Sequence, residues 1–126
     1  MAGVKQKILI IEDDKYLVKL ISETFRRRGF DVVLALDADE GYDKAIMDKP
    51  NLILLDVLLP GQNGFICLNN LKSNKKTANI PIIILSNLGQ QEEIRKGLEL
   101  GAEDYLVKAD FKIDQIVDKV TRRLKK

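Results

Sequence analysis

Five short apolar runs, none of them alternating with polar residues, constrain this chain more than any other feature. They are KILII (7–11), DVVLAL (31–36), LILLD (52–56), IIIL (82–85) and DYLVK (104–108). A strand with one wet face alternates apolar and polar side chains. Continuous runs of Ile, Val and Leu therefore predict strands covered on both faces, as in a parallel sheet.

Helical spacing fills the intervals. Leu17, Leu20, Ile21, Thr24 and Phe25 form one stripe. Ala38, Gly41, Tyr42, Ala45 and Ile46 form a second, opened by Asp37 and Glu40 in capping-box spacing. Phe65, Leu68 and Leu71 mark a third, Ile94 and Leu98 a fourth, and Ile113, Ile116, Val117, Val120 and Leu124 the last. Gly29 and Gly101 stand where helix C-caps are expected, and Pro50, Pro60 and Pro81 fall in connections or at a strand edge. A strand-helix order repeated five times, with crossovers long enough for right-handed helices, predicts a doubly wound α/β sheet with helices on both faces. With no linker, repeat or low-complexity stretch, residues 1–126 are expected to form a single domain.

Composition narrows the function. The 21 Lys and Arg are interspersed with 19 Asp and Glu, a net charge of +2 that is too balanced for an electrostatic nucleic-acid binder. The clusters Arg26, Arg27, Arg28 and Arg122, Arg123, Lys125, Lys126 fall at the ends of helical patterns, where cations complement the macrodipole. They read as solvated helix ends, with docking or binding to an anionic surface as the alternative for the tail. One cysteine, Cys67, and no histidine exclude an internal disulfide, a Cys/His zinc site and any Ser-His or Cys-His catalytic pair. The opening MAGVKQK lacks a signal-peptide apolar segment and no run approaches membrane-spanning length, so a cytoplasmic location is expected.

In an open α/β sheet, ligands bind beyond the carboxyl ends of the strands. Glu12, Asp13 and Asp14 follow the first run, Asp56 ends the third, Ser86 follows the fourth and Lys108 ends the fifth. Carboxylates converging on one edge repel unless a cation sits among them, and an oxygen-only donor set suits a hard ion such as Mg²⁺. Asp56, an expensive group at the end of a buried strand, then serves as ligand and nucleophile. Attack on phosphorus gives an acyl phosphate, with Lys108 supplying charge and Ser86 a hydrogen bond to its oxygens. Each residue also has a structural alternative: Asp13 or Asp14 as a helix cap, Ser86 as a turn former, Lys108 as a strand-end lysine.

The motifs ILIIEDD, LLDVLLPGQNG, IIILS and GAEDYLVK, in this order and at these spacings, resemble the receiver domain of bacterial two-component response regulators over nearly the whole chain. The resemblance implies a flavodoxin-like (βα)5 fold with strand order 2-1-3-4-5. It implies Asp56 as phosphoacceptor, Asp13 and Asp56 as direct Mg²⁺ ligands, Glu12 nearby through water, and the backbone carbonyl of Leu58 as the third protein ligand. Ser86 and Lys108 match the residues that hold the phosphoryl group, and Tyr105 the aromatic that changes rotamer on activation. The implied donor is a sensor histidine kinase or phosphotransfer protein. The implied output is a protein partner on the face of the fourth helix, fifth strand and fifth helix, without direct nucleic-acid contact or membrane insertion.

Two positions depart from the family pattern. Ala109 follows Lys108 where a proline is usual, and Asn87 stands where Ala or Gly is common beside the hydroxyl residue. Two other readings compete. An aspartyl-nucleophile, Mg²⁺-dependent phosphatase of the haloacid-dehalogenase kind typically carries a second Asp two residues after the nucleophile, where this chain has Leu58. A pseudo-receiver would keep the fold for docking alone, against which stand the intact Asp13, Asp56, Ser86 and Lys108.

Overall fold

The computed structural model describes residues 5–60 and 63–125. The start of MAGVKQK (1–4), Gly61 and Gln62 of the LLPGQNG turn, and Lys126 of the basic tail lie outside the described residues. The elements alternate as the apolar runs predict: β1 (Lys7–Ile11), α1 (Lys15–Arg27), β2 (Asp31–Ala35), α2 (Ala38–Asp48), β3 (Leu52–Leu55), α3 (Gly64–Ser73), β4 (Ile82–Ser86), α4 (Gln91–Glu99), β5 (Asp104–Val107) and α5 (Ile113–Leu124). The five strands pair in parallel, in the order β2-β1-β3-β4-β5.

Both faces of the sheet are covered, which is why its strands read as continuous apolar runs. On one face Ile8, Ile10, Leu52 and Leu54 pack with Ile21 and Phe25 of α1 and Val117 and Val120 of α5. On the other, Leu9, Ile11, Ile53 and Leu55 pack with Ala38 and Ala45 of α2 and Leu68 and Leu71 of α3. Fully burying a side chain of this size contributes about 1.5–3 kcal/mol, so the central strands anchor everything attached to their ends.

The caps differ in detail from expectation. Asp14 is the N-cap of α1, accepting from the backbone N–H groups of Tyr16 and Leu17, so Asp13 is left for other work. Asp37 caps α2 through the Glu40 N–H, while the Glu40 carboxylate reaches one residue further back, to the Leu36 N–H. Gly29 and Gly101 follow α1 and α4 with φ of +91° and +113°, a region that glycine enters without strain.

In α4 the expected stripe is displaced. Leu98 is 44% exposed, and the one buried residue of the helix is Gly97, where a Cβ would come within 2.6 Å of Ile84 and 2.9 Å of the Tyr105 ring. The helix lies on the sheet through its glycine because there is no room for a side chain. The fifth run also ends one residue early: Lys108 opens a short 3₁₀ turn to Asp110. Every peptide bond among the described residues is trans, the Lys108–Ala109 bond included.

Among the described glycines, Gly64 makes the closest approach to its neighbours. A Cβ there would collide with the Val57 Cα and lie 2.7 Å from the Asp56 carbonyl oxygen. Both are backbone, so neither yields as a flexible side chain does. Gly64→Ala is predicted to lower stability by on the order of 3 kcal/mol, more than Gly97→Ala, whose neighbours are side chains. Chemical denaturation of the two variants checks this; equal midpoints would contradict it.

Candidate functional site

Parallel register gathers the strand ends. Ile11 pairs with Leu55 and Leu55 with Ile84, so the residues that follow β1 and β3 emerge side by side. The Asp56 N–H donates to the Ile11 carbonyl at 3.0 Å, and the Glu12 N–H to the Ala35 carbonyl at 3.0 Å. Backbone bonds thus fix where both carboxylates begin.

Glu12, Asp13 and Asp56 each place a carboxylate oxygen within 4.8 Å of the others. Glu12 and Asp56 are 3% and 4% exposed, while Asp13 is open to solvent. Lys108 Nζ donates to Asp56 Oδ2 at 2.9 Å and lies 2.6 Å from Glu12 Oε1, a charge contact whose angles fall outside those of a hydrogen bond. The other Asp56 oxygen, Oδ1, accepts from the Leu58 N–H at 2.9 Å. Glu12 Oε2 accepts from the Asp14 N–H at 3.0 Å.

The electrostatics follow from burial. Burial pushes the Glu12 carboxyl up to about 7, against the pull of the Lys108 ammonium and the Asp14 N–H, with the Asp56 charge adding to the rise. For Lys108, burial lowers the ammonium pKa, but Glu12 and Asp56 together outweigh it and the net direction is upward. Lys108 therefore stays charged, and the acidic cluster carries more negative charge than one ammonium balances. Three oxygen donors at this separation, one of them Glu12 Oε1 without a hydrogen bond, fit a hard divalent cation.

Ser86 is fully buried, and its Oγ accepts from the Leu88 N–H at 3.3 Å. The Leu88 carbonyl in turn accepts from the Tyr105 hydroxyl at 2.6 Å. Tyr105 is buried, its ring already turned inward, and burial and the Glu93 charge push its hydroxyl up to about 12. Asn87 is exposed beside them, and Leu58 is 51% exposed. Cys67 is buried, its thiol pushed up to about 11 by burial, and donates to the Ala38 carbonyl, which makes it a packing residue.

The structure thus brings together Glu12, Asp13, Asp56 and Lys108, and places Ser86 at the end of β4 and Tyr105 in β5, joined through the Leu88 backbone of the loop after β4. Sequence reasoning missed the Glu12–Lys108 contact and the part played by the Leu88 backbone. Its only signal was the excess of acids over bases at the strand ends.

The profile of the response regulator receiver domain matches residues 8–121. The chain belongs to this family. It is 36% identical over 120 residues to the DNA-binding dual master transcriptional regulator RpaA of Synechocystis, covering 95% of this chain and 49% of that protein. It is 39% identical over 102 residues to the transcriptional regulatory protein CpxR of Escherichia coli, covering 81% and 42%. The chain spans about half the length of these curated relatives or less. Among solved structures, the BeF3-activated receiver domain of Klebsiella pneumoniae RstA aligns with a TM-score of 0.86 at 28% identity, over 96% of this chain and all of that one. The receiver domain of Francisella response regulator 1452 aligns with 0.86 at 32%, over 96% and 98%. Five parallel strands in this order with flanking helices are the receiver fold.

Removing the ammonium tests the electrostatic reading. Lys108→Met leaves two buried carboxylates unpaired, at a cost on the order of 3 kcal/mol at pH 8. Glu12 has a folded pKa near 7, above the ordinary 4.5, so proton uptake stabilises the fold as pH falls below 7. The melting temperature of the variant, measured without divalent ions, is predicted to approach wild type at pH 6. A pH-independent deficit would refute this.

Proposed function

We propose that this receiver accepts a phosphoryl group on Asp56 and so switches its affinity for a protein partner. The observation that carries the reading is Asp56 itself, a buried carboxylate held between the Lys108 ammonium and the Glu12–Asp13 pair. Glu12, Asp13, Asp56 and the Leu58 carbonyl are the residues to hold Mg²⁺, with Glu12 acting through water. The ion, when bound, neutralises charge between the carboxylates and an incoming phosphoryl group.

An Asp56 carboxylate oxygen attacks phosphorus in line. The new P–O bond forms as the bond to the donor breaks, and the donor leaves with the electron pair. With a phosphohistidine of a sensor kinase the bond broken is P–N; with acetyl phosphate it is P–O. Lys108 follows the charge from Asp56 to a phosphoryl oxygen, and the Ser86 hydroxyl donates to another. The aspartyl phosphate is the product, so the domain assists its own modification and turns over no separate substrate. The Leu58 side chain, aliphatic and half exposed, offers no proton to a leaving group, which disfavours the phosphatase reading.

Drawing Ser86 toward the phosphoryl group changes its bond from the Leu88 N–H, and Leu88 holds the Tyr105 hydroxyl. Because the ring is already inward here, the switch acts on the Leu88 tether rather than on a swing from outside. Gly97 of α4 rests on the same ring. The partner surface is then the face of α4, β5 and α5, where an open groove of about 410 Å³ runs along α4 beside Ile94 and Leu98. A net charge of +2, with acids and bases interspersed along the chain, supports a protein rather than a nucleic-acid partner for this domain. No described helix is long and apolar enough to cross a membrane; a kinase-fed signalling role supports a cytoplasmic location. Residues 1–126 act as one receiver unit.

Two measurements test this. Incubation with Mg²⁺ and acetyl phosphate is predicted to add one phosphoryl group to intact protein by mass spectrometry, to add none to Asp56→Asn, and to slow in Asp13→Ala. Rapid acetyl phosphate turnover without stable addition would support the phosphatase instead, and no reaction the pseudo-receiver. Second, Ser86→Ala is predicted to accept phosphate but lose the Tyr105 ring NMR shifts that accompany it in wild type. Identical shifts in both would sink the Leu88 tether as the switch.

A further inference from the structure

The sheet edge formed by β2 carries two features that phosphotransfer leaves unused. On one side, α1 and β2 enclose a groove of about 460 Å³ with an apolar floor of Val18, Leu34 and Leu36. Lys15, Lys19 and Arg26 stand along its rim at helical spacing, with Glu23 the single acid among them. Lys15 and Lys19 are like charges four residues apart, an arrangement that destabilises a helix. None of the three cations forms an ion pair among the described residues.

On the other side of the same edge, α2 shows the complement. Glu40 and Lys44 reach over the rim to the Leu36 N–H and the Leu34 carbonyl, which marks the flank of α2 that faces the edge. Met47, three residues after Lys44, continues that flank and is 78% exposed. Asp43, four residues before Met47, is exposed and forms no ion pair among the described residues, and Asp39 repeats the like-charge spacing. Leu36, 42% exposed, adds a second apolar side chain at this edge.

We propose that this edge is a self-association surface on which a second copy of the chain docks, Met47 of each copy entering the α1–β2 groove of the other. Symmetry makes both halves available at once. Helices α1 and α2 lie on opposite faces of the sheet, so a two-fold axis parallel to the strands brings each α1 beside its partner's α2. The contact is then isologous and closed. Each copy inserts one flexible, polarizable side chain into an apolar floor and sets Asp43 against the lysines of the facing rim. Strand-to-strand hydrogen bonding is not required, because Glu40 and Lys44 already occupy the edge backbone groups, a common way to blunt an edge strand.

Sedimentation velocity on the full chain, without phosphodonor, tests the surface. A dimer that weakens as salt is raised is expected. Met47→Glu, at an exposed position that leaves the fold intact, is expected to raise the dissociation constant at least about ten-fold. Lys19→Glu alone is expected to weaken the dimer, and Lys19→Glu with Asp43→Lys in the same chain to restore it. A monomer at every concentration up to about 1 mM, where specific association is at its weakest, overturns the proposal. So does a dimer that ignores Met47→Glu, or one lost through Leu98→Glu instead.

Discussion

One ammonium group holds the acidic end of the sheet together. Lys108 starts beyond β5, at the far side of the site, and reaches Asp56 beyond β3 and Glu12 beyond β1. Between them lies the end of β4. Strands are spaced about 4.8 Å apart, so the lysine stem must cross a strand end to make either contact. β4 finishes there in Ser86, small and fully buried. Without that cation, two carboxylates less than one-twentieth exposed would face each other in a region where charge is costly to bury.

The arrangement explains why the site depends on distant packing. Glu12 and Asp56 leave the sheet from strands whose side chains are almost entirely inside, and the two strands are bonded to each other in register. Their carboxylates cannot separate to relieve repulsion. The cost falls on protonation instead: burial, with the Asp56 charge adding to it, raises Glu12 to about 7, and the two carboxylates raise the lysine as well. A rigid scaffold with unbalanced charge at its rim is suited to holding a cation and a phosphoryl group, because both relieve what the protein alone leaves uncompensated.

Much of this was legible in the chain. Asp56 betrayed itself by ending an apolar run, since nothing in strand propensity favours it there, and the alternation of five such runs with helical stripes carried the topology. Phe65, Leu68 and Leu71 buried as their spacing predicts, and Gly29 and Gly101 took positive φ. What was not legible depends on direction rather than identity. Periodicity pointed to Ile94 and Leu98 as the inner residues of α4; Ile94 does pack partly buried against the core, but the helix lies so close to Tyr105 that Gly97 sits beneath it while Leu98 is exposed. Nor does any pattern reveal that Leu88 acts through its backbone, because a peptide group is the same in every residue. The Glu12–Lys108 contact joins positions 96 apart, and only the strand order makes them neighbours.

That unpatterned set is also the one that leads away from Asp56. Lys108 touches Asp56, the Leu88 N–H holds Ser86, the Leu88 carbonyl holds Tyr105, and the Tyr105 ring supports α4 at the one place where the helix has no side chain. A helix whose only fully buried residue is a glycine, with Ile94 partly buried against the core, gains less hydrophobic stabilisation from its seat than helices with a full buried stripe. Such an element shifts at low cost, and elements that move in signalling come from the weakly held end of a structure. Here the weakly held helix rests on the aromatic ring whose tether passes through the loop after Ser86. A change of hydrogen bonding at Ser86 need supply only the small free energy that reseats α4, while the deeply buried strands beneath remain fixed.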